Sequence, residues 1–412
     1  MIKRNAEARI VDALGDTPVV LVHGARQVGK STLVRHIAEG RLSARYVTLD
    51  EATSLSAARN DPQLFLQEVG TPVAIDEVQR APELFLAIKA AVDRHRAPGS
   101  YLITGSANVL MVPKLSESLA GRMEIVELHP FTRGEMEGRV EGFADRLFAK
   151  SLPRQVERPG APGELRERMI AGGYPEVINR KKPDRRAAWF ESYVTTVLQR
   201  DVRELANIDG LLELPRLLQL LAARSGQLLN ASALSRDLAI PGTTLKRYLA
   251  LLETTFLMQP LRPWSGNIGK RLVKSPKIYL EDSGLAAYLL GAEIGRKANG
   301  SDLTGGLLEN FVLGELRRQI AWSRTRPGIF HFRTSKGSAE VDAVLESRDR
   351  RIVAVEVKSG TRVRKDDFAG IGKLAAEVGD RFHRGIVLYG GEGVVPFGGR
   401  MHAVPVAALW RW

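Results

Sequence analysis

The residues best suited to chemistry come early, between Gly24 and Ser31, where the sequence reads G-A-R-Q-V-G-K-S. An apolar run at 18–23 precedes this segment, and a helical pattern begins at Thr32. Between a strand and a helix, the two glycines let the backbone curl around an anion, and the helix N-terminus adds positive potential. An ordinary glycine-rich turn before a helix is the competing interpretation of this motif alone. Its spacing predicts a phosphate-binding loop.

Two adjacent carboxylates, Asp76 and Glu77, end a short apolar stretch that starts at Val73. Taken alone, they also fit two solvated charges at a strand end. Together with the phosphate loop they predict a nucleoside triphosphate site, with ATP and Mg²⁺ as cofactors. Lys30 reaches the β- and γ-phosphates, Ser31 and Asp76 hold Mg²⁺, and Glu77 polarises the attacking water. The residues expected to contact the nucleotide are Gly24, Ala25, Arg26, Gln27, Val28, Gly29, Lys30, Ser31 and Thr32.

Composition narrows the class of protein. The chain has 412 residues, 44% hydrophobic and 26% charged, which predicts a soluble protein of about two or three domains. It has no cysteine, so disulfides and thiolate metal sites are excluded. No apolar run approaches the ~18 residues of a membrane span, and residues 1–7 lack the apolar stretch of a signal peptide. We expect a cytoplasmic protein with no membrane partner.

The first part of the chain alternates helical and strand patterns, which predicts a mostly parallel sheet covered on both faces. Ligands in such sheets bind at the carboxyl ends of the strands, where the phosphate loop, Asp76 and the segment Thr104–Ser106 all fall. Ser106 occupies the position of a sensor residue in AAA-type ATPases, and Asn108 is the second candidate for that role. A plain strand-ending turn is the alternative. Arg122 is a candidate arginine finger for a neighbouring subunit, or else an ordinary surface arginine.

Two helical regions follow. Residues 151–208 combine a loop rich in proline and glycine with a long helical run, which predicts a small helical lid. Residues 231–249 then form helix, tight Pro-Gly turn and second helix, the helix-turn-helix arrangement, with strand patterns near 256–263 and 277–280 as wings. Winged helices bind DNA or other proteins. The residues placed to meet DNA phosphates or base edges are Thr243, Thr244, Lys246 and Arg247.

Charge supports a polyanion partner. The chain has a formal net charge of +13, although an arginine-rich composition also arises from a high-GC genome. Between residues 211 and 275 there are nine Lys and Arg against three acids, a local excess of six. We therefore expect DNA as a partner.

The C-terminal segment predicts a second site. If the strands around Asp342 and Glu356 pair with Asp342 opposite Glu356, paired residue numbers sum to 698, and Glu340 falls opposite Lys358. An even sum requires a turn of odd length, such as 347–351, or a bulge. The resulting face holds three carboxylates and a lysine, an arrangement that costs energy unless a cation binds. With Glu309 from a helix, this is the D…E-x-K pattern of restriction-endonuclease-like nucleases: Glu309, Asp342 and Glu356 would bind Mg²⁺, beside Lys358.

The chain as a whole resembles bacterial and archaeal AAA-type ATPases of unknown function that carry a C-terminal winged helix and restriction-endonuclease-like domain. The resemblance rests on the motifs at 24–31, 74–77, 104–106, 172–176, 199–202, 308–310, 340–342 and 355–359. It implies an α/β P-loop NTPase core of the AAA type at 1–150, a helical lid at 151–208, a winged helix-turn-helix at 209–298 and a restriction-endonuclease-like α/β domain at 299–412.

Two functions are compatible with this organisation. In the first, a homo-oligomer such as a hexamer uses ATP hydrolysis to move or remodel DNA, with or without cutting it. In the second, the ATPase is a nucleotide-gated regulatory switch whose basic surfaces bind a protein partner. DNA-stimulated ATP hydrolysis distinguishes them.

Overall fold

The computed structural model describes residues 2–106, 119–157, 162–202, 213–267, 269, 271, 274–292, 303–334, 337 and 339–412. The chain divides into two compact units. The first is Met1–Pro130 with Leu251–Leu257, and the second is Phe131–Ala250 with Met258–Trp412. Residues 131–150, which the sequence assigned to the ATPase core, thus belong to the second unit. No helix among the described residues is long and apolar enough to cross a membrane.

The first unit is built on a five-stranded parallel sheet with the strand order β2-β3-β4-β1-β5. Every residue of β1 and β3 is buried, as expected for parallel strands covered on both faces. The strands are β1 (Val19–His23), β2 (Arg45–Thr48), β3 (Val73–Asp76), β4 (Tyr101–Gly105) and β5 (Met123–Glu127). The helices are Ala6–Leu14, Lys30–Ile37, Ala52–Asn60, Pro62–Val69 and Leu84–Arg94. The predicted α/β core is confirmed.

The second unit begins with short helices. They are Arg133–Met136, Phe143–Arg146, Pro162–Ala171, Pro175–Ile178 and Pro183–Thr196, followed by Leu214–Ala223, Ala231–Leu238, Gly242–Thr254 and Ser283–Leu289. The Asn230 side chain caps the helix Ala231–Leu238 by accepting from the Ala233 amide at 2.9 Å. The helix Gly242–Thr254 buries Leu245, Leu249 and Leu252 along one face, at helical spacing. Strands β6 (Met258–Leu261) and β7 (Lys277–Leu280) then pair antiparallel.

The remainder of the second unit is a six-stranded mixed sheet of order β12-β13-β11-β10-β9-β8. Its strands are β8 (Gly328–Arg333), β9 (Glu340–Glu346), β10 (Ile352–Lys358), β11 (Phe382–Tyr389), β12 (Val395–Pro396) and β13 (Met401–Pro405). Its helices are Leu303–Ile320, Ala369–Val378 and Ala408–Arg411. The connection through Ala369–Val378 makes β10 and β11 parallel, whereas β9 and β10 form an antiparallel hairpin.

The β9–β10 hairpin has the register predicted from side-chain parity. Ile352 pairs with Glu346 and Val355 with Ala343, so that paired residue numbers sum to 698. The turn between them is 347–351, closed by a 3.0 Å bond from the Ser347 amide to the Arg351 carbonyl. Register and turn length are therefore both confirmed. Continuing the register by one residue sets Asp342 beside Glu356 on one face of the sheet.

Candidate functional site

The phosphate loop leaves β1 and enters the helix Lys30–Ile37, as its motif requires. At Gly24 φ is +149°, and a Cβ there would lie 2.0 Å from the Leu128 carbonyl oxygen. At Gly29, the residue before the helix, φ is +95°. Both positions therefore require glycine, one for close backbone approach and one for its left-handed conformation. The loop places the N-terminus of the helix at the carboxyl end of β1.

The Lys30 side chain points into this loop. It is only 4% exposed, and its ammonium donates to the carbonyl oxygens of Gly24 and Ala25 at 3.0 and 2.9 Å. Phosphate oxygens are stronger acceptors for an ammonium than neutral carbonyls. Ser31, in the first turn of the helix, is half-buried. The loop therefore holds a positive charge where the phosphates of a nucleotide would bind.

Asp76 ends β3 beside the phosphate loop and is 3% exposed. Its carboxylate accepts a hydrogen bond from Thr104 Oγ1 at 2.5 Å and one from the Tyr46 hydroxyl at 2.8 Å. Burial and the Asp76 charge raise the pKa of Tyr46, so the phenol keeps its proton and remains a donor. Strands β2 and β4 thereby orient the carboxylate expected to hold Mg²⁺. Sequence reasoning missed Tyr46, which lies on the next strand of the sheet.

Glu77 follows directly and has a left-handed backbone, with φ of +59°. Its amide donates to Thr104 Oγ1 at 3.0 Å, and its carboxylate accepts from the Gln79 side-chain amide. The same Gln79 nitrogen donates to Ser106 Oγ at 2.8 Å. Gln79 thus links the predicted water-activating residue to the predicted sensor. Sequence reasoning missed Gln79, and its position two residues after Glu77 is the signal that could have found it. Asn108 lies outside the described residues.

Arg122 lies at the amino-terminal ends of the strands, whereas the phosphate loop of the same chain lies at their carboxyl ends. It immediately precedes β5, which runs parallel to β1, and its carbonyl accepts from the Val19 amide at 3.3 Å. Its guanidinium forms a 2.5 Å ion pair with Asp93. Arg122 therefore cannot serve the phosphate site of its own chain. A role toward a neighbouring subunit stays a prediction.

The predicted DNA-contacting residues share the helix Gly242–Thr254. Thr243, Lys246 and Arg247 are exposed, whereas Thr244 is half-buried. Several other basic residues of the segment are engaged within the protein, namely Arg224 with Asp237, Arg216 with Glu213 and Arg271 with Glu346. Glu213 and Asp237 are already counted among the three acids of this segment, so of these three pairs only Arg271–Glu346 reduces its excess charge.

The C-terminal end of this helix belongs to the first unit. Within that unit the Phe256 ring packs edge-on against His23, with 5.5 Å between ring centroids. His23 is the last residue of β1 and precedes Gly24 of the phosphate loop. Burial lowers the pKa of His23, so the ring is neutral at pH 7. The polypeptide that carries Lys246 and Arg247 thus continues to a residue packed beside the nucleotide site.

The C-terminal carboxylates surround a lysine that sequence analysis did not single out. Lys277, the first residue of β7, is 1% exposed. Its ammonium contacts Glu309 Oε1 at 2.9 Å, Asp342 Oδ1 at 3.0 Å and Glu340 Oε1 at 2.6 Å. Tyr279, two residues further along β7, donates to the same Glu309 oxygen at 2.6 Å. The three carboxylates therefore face a cation supplied by the chain itself. We call these four ionic residues the Lys277 cluster.

Glu356 and Lys358 lie at the edge of this cluster. Lys358 Nζ donates to Glu356 Oε1 at 2.8 Å, and the Val357 amide donates to Asp342 Oδ2 at 3.0 Å. Burial and the Asp342 charge raise the pKa of Glu356 to about 8, and the same causes raise that of Glu309 to about 7. Among the described residues no group of three or more His, Asp or Glu side chains is arranged to hold a metal ion. The cation predicted for this face is, in the structure, an ammonium.

The segment Gly172–Pro175, one of the motifs that carry the family resemblance, is a packing feature of the second unit. A Cβ at Gly172 would lie 2.0 Å from Asp282 Oδ1, and the Gly173 amide donates to the same carboxylate at 2.8 Å. Asp282 is fully buried and pairs with Arg318 at 3.1 Å. The two glycines thus admit a buried ion pair. These contacts give the motif a structural role.

Comparison with known families divides the chain into three segments. Residues 16–137 match the family described as AAA domain. Residues 163–294 and 304–409 match two domains of unknown function, DUF8612 and DUF4143. The AAA match covers the phosphate loop, Asp76, Glu77 and Ser106, and it identifies the first unit as an AAA-type P-loop domain.

Two curated relatives extend over almost the whole chain. The uncharacterized proteins Rv2008c of Mycobacterium tuberculosis and Mb2031c of Mycobacterium bovis are each 33% identical over 406 residues, which is 98% of this chain and 83% of theirs. An uncharacterized protein of Haemophilus influenzae is 26% identical over 223 residues, covering 53% of this chain and 51% of its own. Among solved structures, two point variants of Thermotoga maritima RuvB match 62% of this chain and 88% of theirs, with TM-scores of 0.26 and 0.29 and identities of 18% and 19%.

Proposed function

Since this chain belongs to the family of the mycobacterial proteins Rv2008c and Mb2031c and carries an AAA domain at residues 16–137, we propose that it is an ATPase that couples MgATP hydrolysis to work on DNA. The proposal has a nucleotide part and a DNA part. The packing of Phe256 against His23 carries it, because Phe256 follows the predicted DNA-binding helix by two residues and His23 immediately precedes the phosphate loop.

The nucleotide part follows from the donor set at the carboxyl ends of the strands. Lys30 would exchange its loop carbonyls for the β- and γ-phosphates, and Ser31 and Asp76 would hold Mg²⁺. The bound metal supplies charge neutralisation at the phosphates. Glu77 orients the attacking water, with Gln79 and Ser106 fixing where its carboxylate points. The hydrogen bonds from Thr104 and Tyr46 hold the Asp76 carboxylate in place.

The DNA part rests on the helix Gly242–Thr254 and the strands β6 and β7, which we interpret as a winged helix-turn-helix. Lys246 and Arg247 are exposed on the second helix, where positive charge meets phosphate, and Thr243 lies one turn earlier. Residues Leu251–Leu257 belong to the compact ATPase unit. The chain runs directly from Lys246 and Arg247 into this segment, and we infer that this continuity couples nucleotide turnover to DNA binding. We regard the C-terminal sheet as restriction-endonuclease-like in fold.

A homo-oligomer completes the proposal. Arg122 cannot reach its own phosphate loop, so any role as an arginine finger requires a neighbouring copy of the chain. Light scattering with and without ATP tests this part. The proposal predicts an assembly larger than a monomer in ATP, and a monomer under all conditions would contradict it.

DNA binding tests the partner directly. Fluorescence anisotropy with labelled duplex and single-stranded DNA, over a series of salt concentrations, should give affinities that fall with salt. Replacing Lys246 and Arg247 with alanine should weaken binding and flatten the log–log salt slope by roughly 0.9 per lost phosphate contact. The control removes the same charge from another exposed pair, Lys181 and Lys182. Equal affinities for both double variants and the wild type would favour the alternative of a nucleotide-gated switch that binds a protein.

A further inference from the structure

The strongest feature outside the nucleotide site is the Lys277 cluster, which joins β7, the helix Leu303–Ile320 and β9. An ammonium has three N–H donors. Those of Lys277 have three carboxylate partners, Glu309, Glu340 and Asp342, at 2.6 to 3.0 Å. Each of the three N–H donors of the ammonium therefore has a carboxylate partner within the protein.

The surroundings hold this ammonium in place. Asn310, next to Glu309 on the helix, accepts from the Leu280 amide at 2.8 Å and donates to the Leu280 carbonyl at 3.2 Å. Both backbone groups belong to β7, so the helix and the strand that carries Lys277 are fastened together. Gly226 closes the other side, because a Cβ there would lie 2.8 Å from Glu309 Oε2. The backbone of β7 is therefore fixed beside Glu309, and the ammonium itself is held by its three carboxylate contacts.

A divalent metal and this lysine cannot share the cluster. Mg²⁺ binds carboxylate oxygens at about 2.0–2.1 Å, and it would compete with the ammonium for Glu309 Oε1 and Asp342 Oδ1. Bringing a second cation next to a buried ammonium also adds like-charge repulsion in a low-dielectric environment. Entry of a metal ion at these oxygens therefore requires Lys277 to withdraw, which breaks three ionic contacts, two of them with largely buried carboxylates.

We propose that Lys277 is a built-in cation that closes the C-terminal carboxylate site to divalent metal, so that the folded chain keeps this sheet as a scaffold and does not cut DNA with it. The positive charge that the three carboxylates require comes from β7. This role replaces the metal-binding role assigned to Glu309, Asp342 and Glu356 from the sequence. It depends neither on ATP hydrolysis nor on DNA binding, so it stands or fails separately from the proposed function.

The test is a titration of the full chain with Mn²⁺ in the absence of nucleotide. Electron paramagnetic resonance of the free ion measures how much Mn²⁺ is bound. The wild type should show no Mn²⁺ site that Asp342→Asn removes. Lys277→Met keeps the length of the side chain without its charge and should gain about one Mn²⁺ site per chain, which Asp342→Asn in the same background should abolish. Lys274→Met, at an exposed position on the same segment, should gain none.

Two results would overturn the proposal. One is an Asp342-dependent Mn²⁺ site in the wild type, which decides the matter even if Lys277→Met fails to fold. The other is a folded Lys277→Met protein that gains no site. A cleavage assay gives a second readout with the wild type alone: duplex and single-stranded DNA should stay intact in Mg²⁺ or Mn²⁺, and cleavage that Asp342→Asn removes would contradict closure of the site.

Discussion

The Lys277 ammonium lies 3.0 Å from the Asp342 carboxylate, and both side chains are buried although 65 positions separate them in the sequence. The contact joins the β6–β7 hairpin to the C-terminal sheet. A buried ion pair is weak evidence for net stabilisation, but removing one partner leaves an uncompensated charge in a poorly solvated environment. The Lys277 cluster should therefore be intolerant of any change that removes its one ammonium.

Lys277→Met should lower the free energy of unfolding by about 3–5 kcal/mol, because three carboxylates then lack their counter-ion. The measurement is urea unfolding of the full chain. Lys274→Met is the matched control, since Lys274 is exposed three residues away and its loss should change stability by less than about 0.5 kcal/mol. Equal effects of the two substitutions would show that the cluster contributes no specific stabilisation.

Glu77→Gln should separate nucleotide binding from turnover. The amide keeps the shape of the side chain but cannot activate water, while Asp76 still holds the metal. We expect kcat for ATP to fall by ~10²–10⁴-fold with nucleotide affinity retained. Steady-state turnover and equilibrium binding of a fluorescent ATP analogue measure the two quantities. Turnover at the wild-type rate would remove Glu77 from the catalytic assignment.

Gln79→Ala tests a positioning role that only the structure revealed. Without the amide that bridges Glu77 and Ser106, the water-activating carboxylate loses its orientation. We predict that kcat falls by about 10–100-fold while KM for ATP changes little, because Gln79 does not line the phosphate loop. Gln67→Ala, at an exposed helix position, is the control. A rise in KM at constant kcat would instead indicate a role in binding nucleotide.

Stability should depend on pH through Glu141. Burial and the charge of Glu315 raise the pKa of Glu141 to about 9, even though Thr132 Oγ1 and the Gly134 amide each donate to it at 2.6 Å. The folded protein therefore binds more protons than the unfolded chain between the ordinary value of 4.5 and about 9. Hence the free energy of unfolding should fall as pH rises through this window.

Glu141→Gln removes that titration and can keep both hydrogen bonds, because its amide oxygen accepts from Gly134 and its nitrogen donates to Thr132. The variant should be more stable than the wild type at pH 8 and less dependent on pH. Urea unfolding from pH 5 to pH 9 measures both. Parallel curves for the two proteins would contradict the raised pKa.

The sequence could predict features that depend on contiguous motifs or on the alternation of side chains along a strand. The phosphate loop and the Asp76–Glu77 pair are contiguous motifs, so their roles follow from spacing and strand order. The 698 register followed because Asp342 and Glu356 can share a face only with a turn of odd length, such as the five residues 347–351. Such rules need no knowledge of distant segments.

The contacts that sequence reasoning missed join distant segments. Lys277 comes 32 residues before Glu309 and 65 before Asp342, and nothing in its neighbourhood marks it as their partner. The sequence predicted that like charges on one face require a cation, but it grouped Glu340, Asp342 and Glu356. The carboxylates around Lys277 are Glu309, Glu340 and Asp342. Tyr46, 30 residues from Asp76, reaches it only through strand order in the sheet. Tertiary packing decides such partners, and periodicity carries no information about it.

The central claim is that nucleotide turnover is coupled to DNA, and ATP hydrolysis measured with and without DNA tests it most directly. Wild-type protein should hydrolyse MgATP, and duplex or single-stranded DNA should raise the rate several-fold. Lys30→Ala should show no hydrolysis in either condition, because it removes the charge that binds the β- and γ-phosphates, and alanine at Lys246 and Arg247 should abolish the stimulation. A wild-type rate that is the same with every form of DNA, or that persists in Lys30→Ala, would contradict the account.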